Sequence, residues 1–315
     1  MEFWQNVCFI ETTQLVEIAR ITEACGYDGI MVSDHVVHPE DATSHYPYTP
    51  DGRISWEAWR PWPDPWVLIG SMAAVTRRLR FMTTTYIAPA RNPFVVAKAV
   101  GTAAVLSDNR VVLGLGAGWF REEFELMGQE FDNRGARLDE MIEVLRLLWR
   151  GGFVEYEGEH YRFGRVQMNP APTRQVPIYG AGHSAPAFRR AARLDGWIGN
   201  AYTPEDALHF LAQLQEARAA AGTLDRSDYG TVVAVQADPF DLDVYRRLED
   251  AGVTTILCVP WLIAGGADRT GPPPEVLDGE RGLHTIDEAA AYEGPIDEKR
   301  RAIEEFAERV IDKMR

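Results

Sequence analysis

Residues 12–35 read TTQLVEIARITEACGYDGIMVSDH, and their order decides the fold. Leu15, Ile18, Thr22 and Cys25 recur at helical spacing, so a helix is expected over Thr12 to Cys25. Gly26 ends it, and Tyr27-Asp28 lead into the apolar run Gly29-Ile30-Met31-Val32-Ser33, which reads as a buried strand. The strand runs out at Asp34-His35. A helix feeding a short apolar strand, with polar residues at the strand's end, is the unit of a parallel α/β sheet.

The unit recurs along the chain. A first strand is expected at Trp4 to Ile10. Others are expected at Leu79 to Tyr86, Val111 to Leu115, Pro177 to Tyr179, Gly196 to Asn200, Thr231 to Gln236 and Thr254 to Val259. Thr203-Pro204-Glu205-Asp206 carries a capping hydroxyl, a proline at the first helical position and an acid three residues after the cap, and Asp241 opens another helix in the same way. A closing helix starts near Pro295 and shows Ile303, Phe306, Val310 and Met314 on one face. About eight strands alternating with helices in 315 residues fit one (β/α)8 barrel, a TIM barrel spanning 1–315. Two stretches break the rhythm: His35 to Asp64, rich in proline and tryptophan, and Trp261 to Glu293. Both follow strand C-termini, where barrel enzymes build their sites.

Composition narrows the function. A net charge of −15 argues against a nucleic-acid partner. Three cysteines without CxxC spacing suggest neither a disulfide framework nor a zinc site. The seven histidines include no His-x-His pair, which disfavours a metal-dependent hydrolase and predicts no metal site. The stretch MEFWQNVCFIETT lacks a basic and apolar leader pattern, and no window approaches the roughly 18 apolar residues of a membrane span, so a cytoplasmic protein without membrane contact is expected.

Several segments carry chemistry. His35, at a strand end, can hydrogen-bond a ligand or pass a proton near neutral pH, or it can be a loop histidine paired to backbone; Asp34 can cap the loop or orient the imidazole. Gly114-Leu115-Gly116-Ala117-Gly118-Trp119 places glycines at a strand-to-helix turn, either for close approach of an anion or simply to relieve crowding; its spacing is not the dinucleotide fingerprint. Gly180-Ala181-Gly182-His183-Ser184 precedes a helix that Ser184 can cap and whose first N–H groups suit a phosphate. Arg189, Arg190 and Arg193 follow; on the first turns they oppose the helix dipole, so a nearby anion accounts for them, or they form a solvated basic face. The Thr83-Thr84-Thr85-Tyr86 run can meet a heterocycle's polar edge or serve as plain strand formers. Arg134 to Glu140 opens an amphipathic helix read as structural, charges outward.

Taken together these segments resemble the luciferase-like flavin oxidoreductases. The matching stretches are Gly26-Tyr27-Asp28 leading to Ser33-Asp34-His35, Pro89-Ala90-Arg91-Asn92-Pro93, and Leu113 to Trp119 with Glu122-Glu123-Phe124. They continue with Arg134-Gly135-x-Arg137-x-Asp139-Glu140, Gly180-x-Gly182-x-Ser184, Ala191-Ala192-Arg193 and Asp195-Gly196-Trp197, in family order. The Asp-His pair and the Gly-Ala-Gly-Trp turn look closest to the branch that uses the deazaflavin coenzyme F420. The resemblance implies a barrel binding a flavin-like ring at its C-terminal face, with His35 as the catalytic group near the ring. It implies cofactor contacts from Asp34, Thr85, Tyr86, Gly116, Ala117 and Gly118, and from Ala181, Gly182, His183 and Ser184 near the ribityl phosphate. It further implies a non-prolyl cis peptide, placed by alignment at Thr85-Tyr86, a homodimer, and hydride transfer between coenzyme F420 and a small organic substrate under an apolar lid of Tyr46, Tyr48, Trp56 and Trp59. An FMN-dependent monooxygenase using reduced flavin and dioxygen, and a non-catalytic flavin-binding protein, are the alternatives.

Overall fold

The computed structural model describes every residue except Tyr48, Pro50, Ser55 and 261–293. Eight parallel strands close into a barrel: β1 (Glu2–Asn6), β2 (Gly29–Val32), β3 (Arg80–Thr83), β4 (Val111–Leu115), β7 (Ile178–Ala181), β8 (Gly196–Tyr202), β9 (Gly230–Val235) and β10 (Thr255–Cys258). They pair in chain order, and β10 returns to β1 through Glu2↔Thr255 to Gln5↔Cys258. Helices lie between them: α1 (Leu15–Ala24), α2 (Pro65–Ala73), α3 (Pro93–Leu106), α4 (Arg121–Leu126), α5 (Arg134–Leu148), α6 (Ala185–Ala191), α7 (Pro204–Ala220), α8 (Leu242–Asp250) and the closing α9 (Ile296–Phe306). The barrel expectation holds. The loop expected over 261–293 lies outside the described residues.

All four residues of β2 are buried, as a strand covered on both faces requires. Inside the barrel Trp4, Met31, Met82, Val112, Ile198 and Val232 form a small apolar cluster, separate from the larger one between strands and helices. Trp4 pairs in register with Gly29, and any Cβ on Gly29 would run into the indole, so this glycine is set by packing. Side-chain caps start the helices. The Thr203 hydroxyl accepts the Asp206 N–H at 3.1 Å and Asp241 accepts that of Asp243 at 3.0 Å, as the sequence signals. Asp64 caps α2 through Trp66 and Val67, with Pro65 at the first helical position.

Two strand ends and one added element differ from expectation. The first strand stops at Asn6 rather than Ile10, because the Asn6 side chain accepts the Cys8 N–H and Phe9 turns into the left-handed region at φ 60°. The third strand stops at Thr83, and Tyr86 rejoins the sheet only as an isolated bridge to Leu115. An antiparallel hairpin, β5 (Phe153–Glu157) and β6 (Arg162–Gln167), lies outside the barrel and was not foreseen; its residues are exposed or half-buried and it offers no continuous apolar run. The two chain ends meet at the barrel's N-terminal face. The Met1 ammonium pairs with Glu249, and Arg315 donates to the Gly26 carbonyl and to Asp28. Among the described residues no helix is long and apolar enough to cross a membrane, and no group of three or more His, Cys, Asp or Glu is placed to hold a metal.

Candidate active site

At the C-terminal face the strand ends and the β2–α2 loop surround a cavity of about 640 Å³. The sequence-selected residues converge on it: Asp34, His35, Thr85, Gly116, Ala117, Gly118, Ala181, Gly182, His183 and Ser184 all line its wall. Tyr86 does not. It follows Thr85 in an extended segment and points away from the cavity, its ring edge-on to Trp66 and under the Arg91 guanidinium at 4.3 Å. The non-prolyl cis peptide is present one residue earlier than expected, at Thr84-Thr85. Thr84 and Thr85, not Tyr86, therefore face the cavity.

The histidine is held by an acid that sequence reading did not assign. His35 Nδ1 lies 3.2 Å from Glu123 Oε2, and the other carboxylate oxygen accepts the Val36 N–H. Glu123 is fully buried. Burial pushes its carboxyl up, but the His35 imidazole, the Val36 amide and Arg91 outweigh that and hold it below the usual carboxylate range. An anionic partner on Nδ1 favours the tautomer with its proton there, which leaves Nε2 a lone pair; Nε2 has no hydrogen-bond partner among the described residues. Asp34 neither caps the loop nor orients the ring. It takes a bidentate pair from Arg91 at 2.7 and 2.8 Å and the Ile87 N–H at 2.9 Å, which ties the end of β2 to the segment before α3. Burial raises its carboxyl, with Arg91 and the Ile87 amide opposing.

Around His35 stands an aromatic cage. Ring centroids of Trp62, Trp56, Trp119 and Phe120 lie at 4.7, 5.5, 5.8 and 5.9 Å. Tyr46 closes it against Trp119 at 4.9 Å and Trp56 at 5.1 Å. Of the four expected lid aromatics, Tyr46 and Trp56 are buried in the wall, Trp59 is 62% exposed and outside it, and Tyr48 is not described. The loop that carries the cage is pinned to α4: Glu122 accepts the Thr43 N–H and hydroxyl, each at 2.7 Å, and the Ser44 N–H at 3.0 Å. Partial burial opposes it, yet the Ser44 and Thr43 donors bring its pKa down to about 2.

Glycines and arginines build the rest of the wall. Gly118 and Gly182 sit at φ +84° and +108°, and a Cβ on Gly116 would stand 2.6 Å from the Thr85 hydroxyl. Ser184 caps α6 by accepting the Ala187 N–H at 3.4 Å. Burial holds His183 below the usual histidine value, and its Nδ1 lies 3.3 Å from the Tyr202 hydroxyl. The arginine expectation needs correction. Because α6 has seven residues, Arg189 and Arg190 fall in its last turn, where the dipole favours them, and Arg190 is bonded to Asp139 at 2.7 Å. No anion is needed to explain them. The opening of α5 is not a plain wet face either. Arg137 is buried and bonds Gln129, Asn133 and the Glu130 and Pro89 carbonyls. Arg134 leans onto the cavity wall, donating to the Gly118 and Phe131 carbonyls at 2.8 and 3.1 Å.

A parallel barrel whose mouth holds a histidine in an aromatic pocket beside glycine turns places this chain in the TIM-barrel class, with a concave pocket of small-molecule size. The sequence matches the model of the luciferase-like monooxygenase family over residues 10–239, and the chain belongs to that family. It is 35% identical over 317 residues to the uncharacterized protein Rv0940c of Mycobacterium tuberculosis, covering 100% of both chains. It is 34% identical over 194 residues to the F420-dependent glucose-6-phosphate dehydrogenase of Mycobacterium avium, covering 59% of this chain and 52% of that enzyme. The fold superposes on the coenzyme F420-dependent tetrahydromethanopterin reductase of Methanopyrus kandleri with a TM-score of 0.68 at 16% identity, over 100% of this chain and 99% of that one.

Proposed function

We propose that this chain is an F420-dependent oxidoreductase that transfers hydride between the deazaflavin and a small organic substrate, with His35 as its catalytic residue. The observation that carries the reading is the cavity at the barrel mouth, walled by the aromatic cage of His35 and by side-chain-free turns at Gly116, Gly118 and Gly182. Two features fit a planar heterocycle on a phosphate-bearing tail. Thr85 lines the cavity wall with its hydroxyl beside Gly116, which suits a polar ring edge. Elsewhere on the wall Gly182 leaves the approach to the capped start of α6 at Ser184 free of a side chain, which suits a phosphate. The F420-dependent relative at 34% identity adds support.

In this reading the deazaflavin, when bound, supplies a carbon that accepts or gives hydride. Thr85 meets the ring's polar edge, Gly116, Ala117 and Gly118 line it, and Ala181, Gly182, His183 and Ser184 hold its phosphate, with Arg134 adding charge. His35 Nε2 takes or returns the proton on the substrate oxygen while Glu123 keeps the imidazole oriented. The cage of Tyr46, Trp56, Trp62 and Trp119 excludes water from the reacting atoms. We further propose that the chain works as a single-domain cytoplasmic homodimer, which sedimentation velocity checks for its subunit number.

A second reading, an FMN-dependent monooxygenase, is favoured by the description of the family itself. Titration of the purified protein with coenzyme F420 and with FMN separates them. Saturable F420 binding with weaker FMN binding is expected; tight FMN binding with none for F420 sinks the deazaflavin assignment.

A further inference from the structure

Asn6, the last residue of β1, has no part in the reading above. Trp4, two residues earlier, lies in the apolar cluster inside the barrel, so Asn6 also points inward, and it lines the cavity one layer higher. It is buried, and its Oδ1 accepts the Cys8 N–H at 3.0 Å. That bond fixes which way the amide faces and leaves the two N–H donors of Nδ2 for the cavity. The Gln5 amide donates to the Asn6 carbonyl at 2.6 Å, so the backbone beneath the side chain is held as well. Around it the floor is apolar: Leu257 of β10 and Val232 of β9 line the same cavity and pack in the interior cluster. In the closed ring of strands β1 stands four places from β7 in either direction, so Asn6 lies across the mouth from the turn at Gly182 to Ser184.

We propose that Asn6 is a specificity-determining residue, its amide donating to the phenolic oxygen of coenzyme F420 and so selecting the deazaflavin over FMN. The proposal rests on the cofactor reading above, which puts a phosphate at the Ser184 turn and so carries the ring toward β1. That ring has two ends. One alternates carbonyls with N–H groups and calls for donors and acceptors together. The other is benzenoid, and bears one phenolic oxygen in F420 but a methyl group at that place in FMN. An oriented donor beside Leu257 and Val232 matches one oxygen among carbons. Against a methyl group the same N–H donors would be buried without an acceptor, which is costly.

Absorbance titration of the full chain, native and as Asn6→Asp and Asn6→Ala, with F420 and with FMN tests the proposal. Asn6→Asp keeps the side chain's size and its acceptor for the Cys8 N–H but removes both donors. F420 affinity should fall about ten-fold or more in each variant while FMN affinity stays within about three-fold, with thermal melting reporting a folded chain. A donor favours the phenolate over the phenol, and the two forms differ in visible absorption. The phenol of bound F420 should therefore titrate at higher pH in the variants than in the native protein. Cys8, Asp34, His35 and Tyr46, the titratable lining residues that follow β1 and β2, are common to all three proteins, so the difference reads Asn6. Equal losses for F420 and FMN, unchanged F420 affinity or an unshifted phenol titration each overturn the proposal and leave the cofactor reading standing. If the native chain binds no F420, the cofactor reading falls and the proposal with it.

Discussion

At the scale of single residues, the site turns on a histidine whose partner lies 88 positions away. His35 was legible because a strand runs out beside it, and Gly116 to Gly118 and Gly182 to Ser184 because glycines cluster at strand-to-helix turns. Glu123 was not. It sits beside a second acid in Glu122-Glu123, and nothing in that pair says which member turns inward. The usable signal was the aromatic pair Trp119-Phe120 just before it, which marks the helix start as buried. Tyr86 fails for a different reason: it bridges to Leu115 and packs its ring against Trp66 and Arg91, so the wall stops at Thr85. His35→Ala is expected to lower turnover by about 100-fold or more. If the proposed F420 reading holds, F420 affinity should stay within a few-fold, since the residues proposed for its phosphate are unchanged. Glu123→Gln removes the anionic partner of His35 Nδ1 while keeping an acceptor for the Val36 N–H, and turnover should fall by about ten-fold. Unchanged turnover would show that Glu123 serves only the loop.

At the scale of elements, neighbouring acids on α4 have divided roles. Glu123 orients the histidine, while Glu122 fastens the loop that bears the cage. The depressed pKa of Glu122, about 2 against an ordinary 4.5, fixes a sign. A carboxyl whose folded-state value is lowered contributes stability above its unfolded value and loses it as pH falls toward the folded one. The melting-point difference between the native chain and Glu122→Gln should therefore be present at pH 7 and close between about pH 4.5 and 2. It will be small, because solvent screens the group. A larger effect belongs to α9. The fully buried Lys299 ammonium bonds Glu11 at 2.7 Å, Gln14 at 2.9 Å and the Gly294 carbonyl at 2.7 Å, and so docks the closing helix on the turn after β1. Lys299→Ala leaves a partly buried carboxylate unpaired and should cost about 3–5 kcal/mol in urea unfolding. The helix starts at Thr203-Pro204 and Asp241 could be read from sequence because their caps are local. The hairpin β5–β6 was harder to see, since Val154, Tyr156, Phe163 and Val166 pack on the core singly between charged or polar residues and form no apolar run.

At the scale of the whole molecule, the barrel was readable because eight buried strands each need an apolar run, and each run is punctuated by a cap or a glycine. What sequence could not give is which strand residues turn inward. Trp4, Met31, Met82, Val112, Ile198 and Val232 fill the interior under the cavity, and any of them reads equally well as packing against a helix. Met82→Ala removes volume from that cluster, where neighbouring strands cannot collapse independently. A loss of about 2–5 kcal/mol is expected, measured as a shift of the urea midpoint at constant slope.

The chain ends, joined to the barrel's N-terminal face through Met1–Glu249 and Arg315–Asp28, have a consequence for engineering. The ring of strands has no obligatory starting point. A circular permutant that links residue 315 to residue 1 and opens in the turn between β5 and β6 would cut no barrel strand and leave the mouth unobstructed. Anchoring through such a linker would present the cavity outward, away from any support.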